Sequence, residues 1–286
     1  MRNLLRRVMR GLPPFPGKLR VAKVLLGNLE GPGTVMDRFG FTYEVPDLRE
    51  PIAFHLLING VYEPEVQDLL LRALPEGGVF IDVGANIGTF TMPAAKHVGP
   101  SGQIVAIEAS PNVFSVLQKN VALNNIANVK LICAAAGSTN DDAMFYPAPV
   151  DHFGMGSRAA QFNSRPITVR SVTLDSVVRE LDLSSVDLIK IDVEGFELDV
   201  LKGAIGLLGR KNPPSVVFEF CDWAEARVSQ DSVGAAQQFL MDQGFEIWRA
   251  SDCRQPLTDP ITSGGEMLIA RVAAVANRCG GFRKLK

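Results

Sequence analysis

The chain has 286 residues, 47% hydrophobic and 21% charged, which is room for one sizeable core with an extension; it has no apolar stretch of about 18 residues able to span a membrane. The formal net charge of −2 gives no general attraction for nucleic acid, yet it is unevenly placed: residues 1–23 carry Arg2, Arg6, Arg7, Arg10, Lys18, Arg20 and Lys23 with no acid, and the remainder carries 22 basic against 31 acidic residues, a net −9. The four cysteines, Cys133, Cys221, Cys253 and Cys279, include no C-x-x-C pair, which argues against a zinc site or a disulfide framework and fits a reducing cytoplasm.

Residues 1–23 form a basic N-terminal segment closed by Pro13, Pro14 and Pro16. Arg6, Arg7 and Arg10 interrupt any apolar leader, so the segment is not read as a secretory signal. A solvated tail or a short surface helix is the plain expectation, and peripheral contact with an anionic membrane or a protein partner is the functional one. Residues 24–65 form an N-terminal extension, with alternation at 39–43 suggesting a small hairpin and an apolar run at 52–58 suggesting a helix packed on the main domain.

The main domain runs over 66–275 and a short tail over 276–286. In chain order the pattern predicts helix 66–74, strand 79–83, helix 89–97, strand 104–108, helix 113–123, strand 129–134, helix 174–181, strand 186–191, helix 198–208, strand 216–220, helix 235–241, and strands 245–248 and 267–270. Short apolar strands alternating with helices imply an α/β, doubly wound, mostly parallel sheet of Rossmann-like type. The link 249–266 is too short and too rich in Pro, Gly, Ser and Asp for a helical crossover, so the last two strands are expected to be antiparallel in a seven-stranded sheet.

The most informative stretch is VFIDVGANIGT at 79–89. A strand runs into a glycine turn and then a helix, with spacing G-x-x-x-G at Gly84 and Gly88. Gly84 permits a tight turn; Gly88 lets the helix pack closely and turns its N-terminal N–H groups toward an anionic ligand end such as an amino acid carboxylate. The dinucleotide fingerprint G-x-G-x-x-G is absent, because Asn86 stands at its second glycine, and Asp82 would repel a pyrophosphate while welcoming a sulfonium or an ammonium. Glu108 ends the next strand, where a carboxylate accepts hydrogen bonds from a ribose diol. An adenosine-bearing cofactor without a pyrophosphate is S-adenosylmethionine.

These residues carry a resemblance. FIDVGANIGTFT (80–91), IEASPNVFSVLQKNVALNN (107–125), LDSVV (174–178) and IKIDVEGFELDVLKGA (189–204) resemble the FkbM family of methyltransferases, over roughly residues 35–270. Gly60-Val-Tyr62-Glu63 is similar to the G-x-Y-E element before the family's first strand; Ala109-Ser110 departs from the Pro-Asn or Pro-Asp usual after the acidic residue. The resemblance implies a class I methyltransferase fold and O-methylation, with acceptors as diverse as macrolide-type natural products, sugars and glycolipids. With it, Glu63, Asp82, Gly84, Asn86, Gly88, Glu108 and Ala135 form the expected cofactor-binding set.

In an open sheet of this kind the site lies beyond the carboxyl ends of the strands. Methyl transfer to an alcohol needs alignment, exclusion of water and a base for the acceptor's proton. Asp192 and Glu194, after the fourth strand, are the candidates for base or substrate anchor, although with Glu197 they would also complement a helix dipole. Glu219, inside VVFEF, either bonds a neighbouring loop or lines the pocket. His152, in the polar loop DHFGMGS (151–157), is a third candidate base; His55 and His97 read as structural. No metal-ligand pattern is present; were a divalent ion used, hard oxygen ligands place magnesium at the Asp192/Glu194 pair. The expected partner is a hydroxyl of a small molecule or glycan, not nucleic acid. The competing expectations are a nucleotide-dependent oxidoreductase, disfavoured by G-x-x-x-G and Asp82, and a non-catalytic binding protein of the same fold, disfavoured by the intact cofactor set.

Overall fold

The computed structural model describes residues 8–13, 15–27, 29–162, 165–229 and 233–272. The tail at 276–286, Cys279, and Arg2, Arg6 and Arg7 lie outside these residues. No helix among the described residues is long and apolar enough to cross a membrane.

The chain opens with α1 (Lys18–Leu26), then a hairpin of β1 (Gly33–Met36) and β2 (Thr42–Val45), then α2 (Pro51–Asn59) and α3 (Pro64–Ala73). The hairpin strands flank residues 39–41 rather than containing them, because Asp37 folds that segment into a turn by accepting from the Phe39 and Phe41 amides. The 23/24 boundary falls inside α1, whose Ala22 and Leu26 are buried against the extension. Two asparagines dock the hairpin on the main domain. Asn120 accepts from the Glu44 amide at 2.8 Å and Asn124 from the Thr42 amide at 2.9 Å, so side-chain amides satisfy an otherwise open strand edge.

The main domain continues as β3 (Val79–Val83), α4 (Thr91–Val98), β4 (Gln103–Glu108), α5 (Pro111–Leu123), β5 (Val129–Cys133), β6 (Ala135–Ala136), β7 (Asp142–Phe145), β8 (Ile167–Val172), α6 (Leu174–Glu180), β9 (Leu188–Ile191), α7 (Glu197–Lys202), α8 (Ile205–Leu208), β10 (Ser215–Cys221), α9 (Asp222–Val228), α10 (Ala235–Asp242), β11 (Phe245–Arg249) and β12 (Gly265–Val272). A seven-stranded sheet has the order β11-β12-β10-β9-β3-β4-β5, and β12 is antiparallel to both of its neighbours. This is the doubly wound, Rossmann-like class I methyltransferase architecture expected from the sequence, including the antiparallel final pair. Its strands are apolar on both faces because helices cover both, as Ile81, Ile189 and Phe218 show at almost no exposure.

Two features depart from the expected elements. The helix over 198–208 is two short helices broken at Gly203, where a Cβ would lie 1.9 Å from the Gly137 carbonyl oxygen; the second helix is capped by Asp175, which accepts from the Gly206 and Leu207 amides. Residues 135–172 add a three-stranded sheet, β6-β8-β7, beside the main one. The chain leaves the main sheet at Cys133 and enters this second sheet at Ala135, so the end of β5 redirects toward the site.

Candidate active site

The turn after β3 is built mainly from backbone. The Gly84 and Ala85 amides both donate to the Ile107 carbonyl at 3.0 Å, which curls the chain over the end of β4. Gly84 has φ 75°, and a Cβ there would lie 1.9 Å from the Asp192 carbonyl oxygen, so the close approach of β9 demands glycine. Asn86 follows with φ 50°; its amide donates to Glu108 at 3.0 Å, and the Ser110 amide donates to the other Glu108 oxygen at 2.8 Å. A carboxylate has about four lone-pair sites, so Glu108 keeps acceptor capacity for a diol while its orientation is fixed. Gly88 faces away, toward Leu117, and it is Thr89 and Phe90 that reach the pocket.

The turn after β9 is built from charge. β9 pairs in parallel with β3, and the register sets Lys190 directly beside Asp82. Both are buried. The Lys190 ammonium lies 3.1 Å from Asp192 and 3.7 Å from Asp82, and donates at 3.4 Å to the Gly84 carbonyl. Thr91 donates to the second Asp82 oxygen at 2.6 Å. Burial would lower the Lys190 pKa, but the charges of Asp192 and Asp82 outweigh it and hold the ammonium protonated. Lys190 was absent from the sequence-predicted set. Its signal was a lysine inside the apolar strand LIKI, where a charge is costly unless paired.

Beyond Lys190 the carboxylates gather. Oxygens of Asp192, Glu194 and Glu219 lie within 4.8 Å of one another, an arrangement that could hold a divalent cation. Burial first, then the charge of Asp192, pushes the Glu194 carboxyl up to about 7. Burial and the same neighbours raise Glu219 well above the carboxylate range, and burial raises Glu63. Glu197 sits behind the turn, accepting from the Val193 amide at 3.0 Å and, more weakly, the Gly195 amide at 3.4 Å. Of the non-glycine residues with positive φ among the described ones, Glu63, Asn86 and Glu194 all line the same pocket. Backbone held in that region is costly and clusters where side chains must be aimed.

That pocket, about 270 Å³ in volume, spans the ends of β3, β4, β9 and β10. Glu63, Gly84, Asn86, Glu108, Ala135, Asp192, Glu194 and Glu219 line it. Asp82 lies one layer beneath, reached through Lys190 and Thr91. A turn at Val150–Met155 roofs it, with Phe153 and Gly154 inward; Ser157, paired to Tyr146, donates to the Glu194 carbonyl at 3.1 Å and ties the roof to the acidic turn. His152 belongs to this roof but faces outward, 3.3 Å from Asp151 and against the Phe162 ring, and does not line the pocket. Arg158 lines the pocket, paired to Asp199 and stacked on Phe196.

A sequence profile for the methyltransferase FkbM domain matches residues 82–247, more than half of the chain. Methyltransferase 1 of Beauveria bassiana is 29% identical over 198 residues, which cover 60% of this chain and 74% of that protein. The hexuronic acid methyltransferase AglP of Haloferax volcanii is 30% identical over 152 residues, covering 52% of this chain and 59% of that protein. Among solved structures, the O-methyltransferase TomG from Streptomyces achromogenes is similar with a TM-score of 0.45 at 13% identity, over 73% of this chain and 79% of that one. The profile match begins at Asp82 and takes in the glycine turn, Glu108 and the acidic end of β9: the chain belongs to the FkbM family of S-adenosylmethionine-dependent methyltransferases.

Proposed function

We propose that this chain methylates a hydroxyl on a small molecule or glycan whose reacting end is neutral or cationic. The observation that carries this is the juxtaposition of two unlike turns around one pocket: a backbone turn anchored on Glu108, and an acidic turn anchored on Lys190.

The donor set fits S-adenosylmethionine. Glu108 has free acceptor sites for a ribose diol, Ala135 offers an apolar wall for an adenine, and the backbone from Gly84 to Phe90 suits the amino acid end. Asp82 and Glu63 each keep one buried oxygen without a hydrogen-bond partner, which suits a cationic group nearby. The same carboxylates would repel a pyrophosphate, and the one buried cation, Lys190, is already held by Asp82 and Asp192. When bound, S-adenosylmethionine supplies an electrophilic methyl group on a sulfonium.

The chain's own residues then have two tasks. The Val150–Met155 turn excludes water from the pocket. Glu194, with its carboxyl near neutrality, takes the acceptor's proton, while Asp192, oriented by Lys190, accepts a hydrogen bond from the acceptor. A uronate or phosphate placed beside Asp192, Glu194 and Glu219 would meet like charge, which favours a neutral or cationic group there. The Haloferax relative, named for a hexuronic acid, supports a sugar-type acceptor; such a sugar would carry its acid away from this cluster, on the Arg158 side.

The test is transfer of a labelled methyl group to neutral and anionic glycosides by wild type, Asp192→Asn, Glu194→Gln and His152→Ala. The two carboxylate variants should lose roughly 10²–10⁴-fold in turnover while binding S-adenosylhomocysteine within about threefold of wild type. Full turnover in both would move the base elsewhere, with His152, swung inward, next in line.

A further inference from the structure

We propose that the outer face of α1, with the segment before it, docks the protein on an anionic lipid bilayer. The inner face of α1 is accounted for: Ala22 and Leu26 are buried on the extension, and Lys18 donates to the Leu12 carbonyl at 2.8 Å. The outer face is not. Val21, Val24 and Leu25 are exposed, Val24 at 78%. At helical spacing these three follow one another round one flank, while the exposed Arg20 and Lys23 occupy the other. Val8, Leu12 and Phe15, just upstream, are exposed as well, so this short stretch holds 6 of the 15 large exposed hydrophobics among the described residues. Such a concentration on a surface marks an interaction site.

The charge identifies the occupant. The first acidic residue of the chain is Glu30, and seven basic residues precede it. Apolar side chains beside cations with no anion among them are the signature of an interfacial helix, which joins modest apolar burial to attraction for acidic headgroups. A soluble partner helix would present one apolar stripe; a bilayer alone meets both flanks at once. The helix also has a firm seat. It shares a core with Ala53, Leu56 and Leu57 of α2, and α2 begins at the pocket with Pro51 and Ile52. α2 is nine residues long, roughly 14 Å, so docking would hold the pocket mouth near the headgroups.

The experiment is vesicle co-flotation of the full chain with phosphatidylcholine alone and with one third phosphatidylglycerol added. Binding is expected to the anionic vesicles and to fall with salt. Arg20→Gln with Lys23→Gln should weaken it about tenfold, and Val24→Ser with Leu25→Ser by a similar factor. Both variants should bind S-adenosylhomocysteine like wild type, which reports that they fold. The proposal is overturned by absence of binding to anionic vesicles, by equal binding to neutral ones, or by a dimer in light scattering that Val24→Ser with Leu25→Ser dissolves. The last result would assign the face to a second copy of the chain.

Discussion

The turns after β3 and β9 lie side by side at the centre of the sheet, and both run from an apolar strand into a helix through residues with positive φ. They differ in what they present. The β3 turn offers amides and one carboxylate held by two amides, a rigid recognition surface. The β9 turn offers Asp192 and Glu194, whose neighbours are other carboxylates and a buried ammonium, a surface whose proton content can change. One strand-to-helix geometry thus serves binding where backbone does the contacting and chemistry where side chains do. Lys190 joins the two, touching Asp82 below the first turn and Asp192 in the second.

Removing that joint should have the largest effect. Lys190→Met keeps the side chain's length but leaves Asp82, fully buried, and Asp192 without their cation. A loss of about 3–5 kcal/mol in urea unfolding at pH 8 is expected, as for other broken buried pairs. Adding Asp82→Asn should recover part of it, since the double variant has no buried charge to satisfy. If Lys190→Met costs less than about 1 kcal/mol, the ammonium behaves as a surface ion pair would and does not couple the turns.

Glu108→Ala should sharpen the contrast by striking the β3 side alone. It removes the carboxylate that takes the Asn86 and Ser110 amides, and S-adenosylhomocysteine affinity should fall by about 2–3 kcal/mol. Calorimetric titration would measure this. Affinity within about threefold of wild type would mean that the ribose is held elsewhere.

The two turns were unequally legible in the sequence. The β3 turn depends on glycine spacing and a strand-end acid, which are local, so Gly84, Asn86 and Glu108 could be placed before any fold was known. Gly88 was visible by the same logic, yet it packs against Leu117 because it faces α5 and not the pocket. The β9 turn depends on neighbours far apart in sequence. That Lys190 meets Asp82 is a matter of strand register, and that Glu219 joins Asp192 depends on β10 lying beside β9. Strand periodicity gave the central sheet but not β6, β7 and β8: Asp142–Phe145 is too short, and Ile167–Val172 carries exposed Ile167, Thr168 and Arg170. His152 shows the limit most clearly. Its loop does cover the pocket, but which of its side chains turns inward is fixed by the Tyr146–Ser157 bridge and the packing of Phe153.

The smallest expected effect concerns protons on the β9 side. Burial pushes Glu194 up to about 7 and Glu197 up to about 8, from an ordinary value of 4.5. Between pH 4.5 and about 8 the folded chain therefore binds more protons at these positions than the unfolded chain does. Linkage then makes stability fall as pH rises through that window, with no further change below it, where both states are protonated, or above it, where both are ionised. Carboxyls held low, such as Asp47 beside Arg49, act only below their ordinary value of 3.8 and leave the window untouched. Glu197→Gln isolates one contribution. The amide oxygen can still accept from Val193, so the turn keeps its main bond, but the side chain no longer ionises. Relative to wild type the variant should gain about 1 kcal/mol in stability on going from pH 6 to pH 8, and the apo protein as a whole should melt lower at pH 8 than at pH 5. Urea unfolding at a series of pH values measures both. Parallel curves for the two proteins would show that Glu197 is ionised throughout and that the acidic turn is stabilised by charge, not by protons.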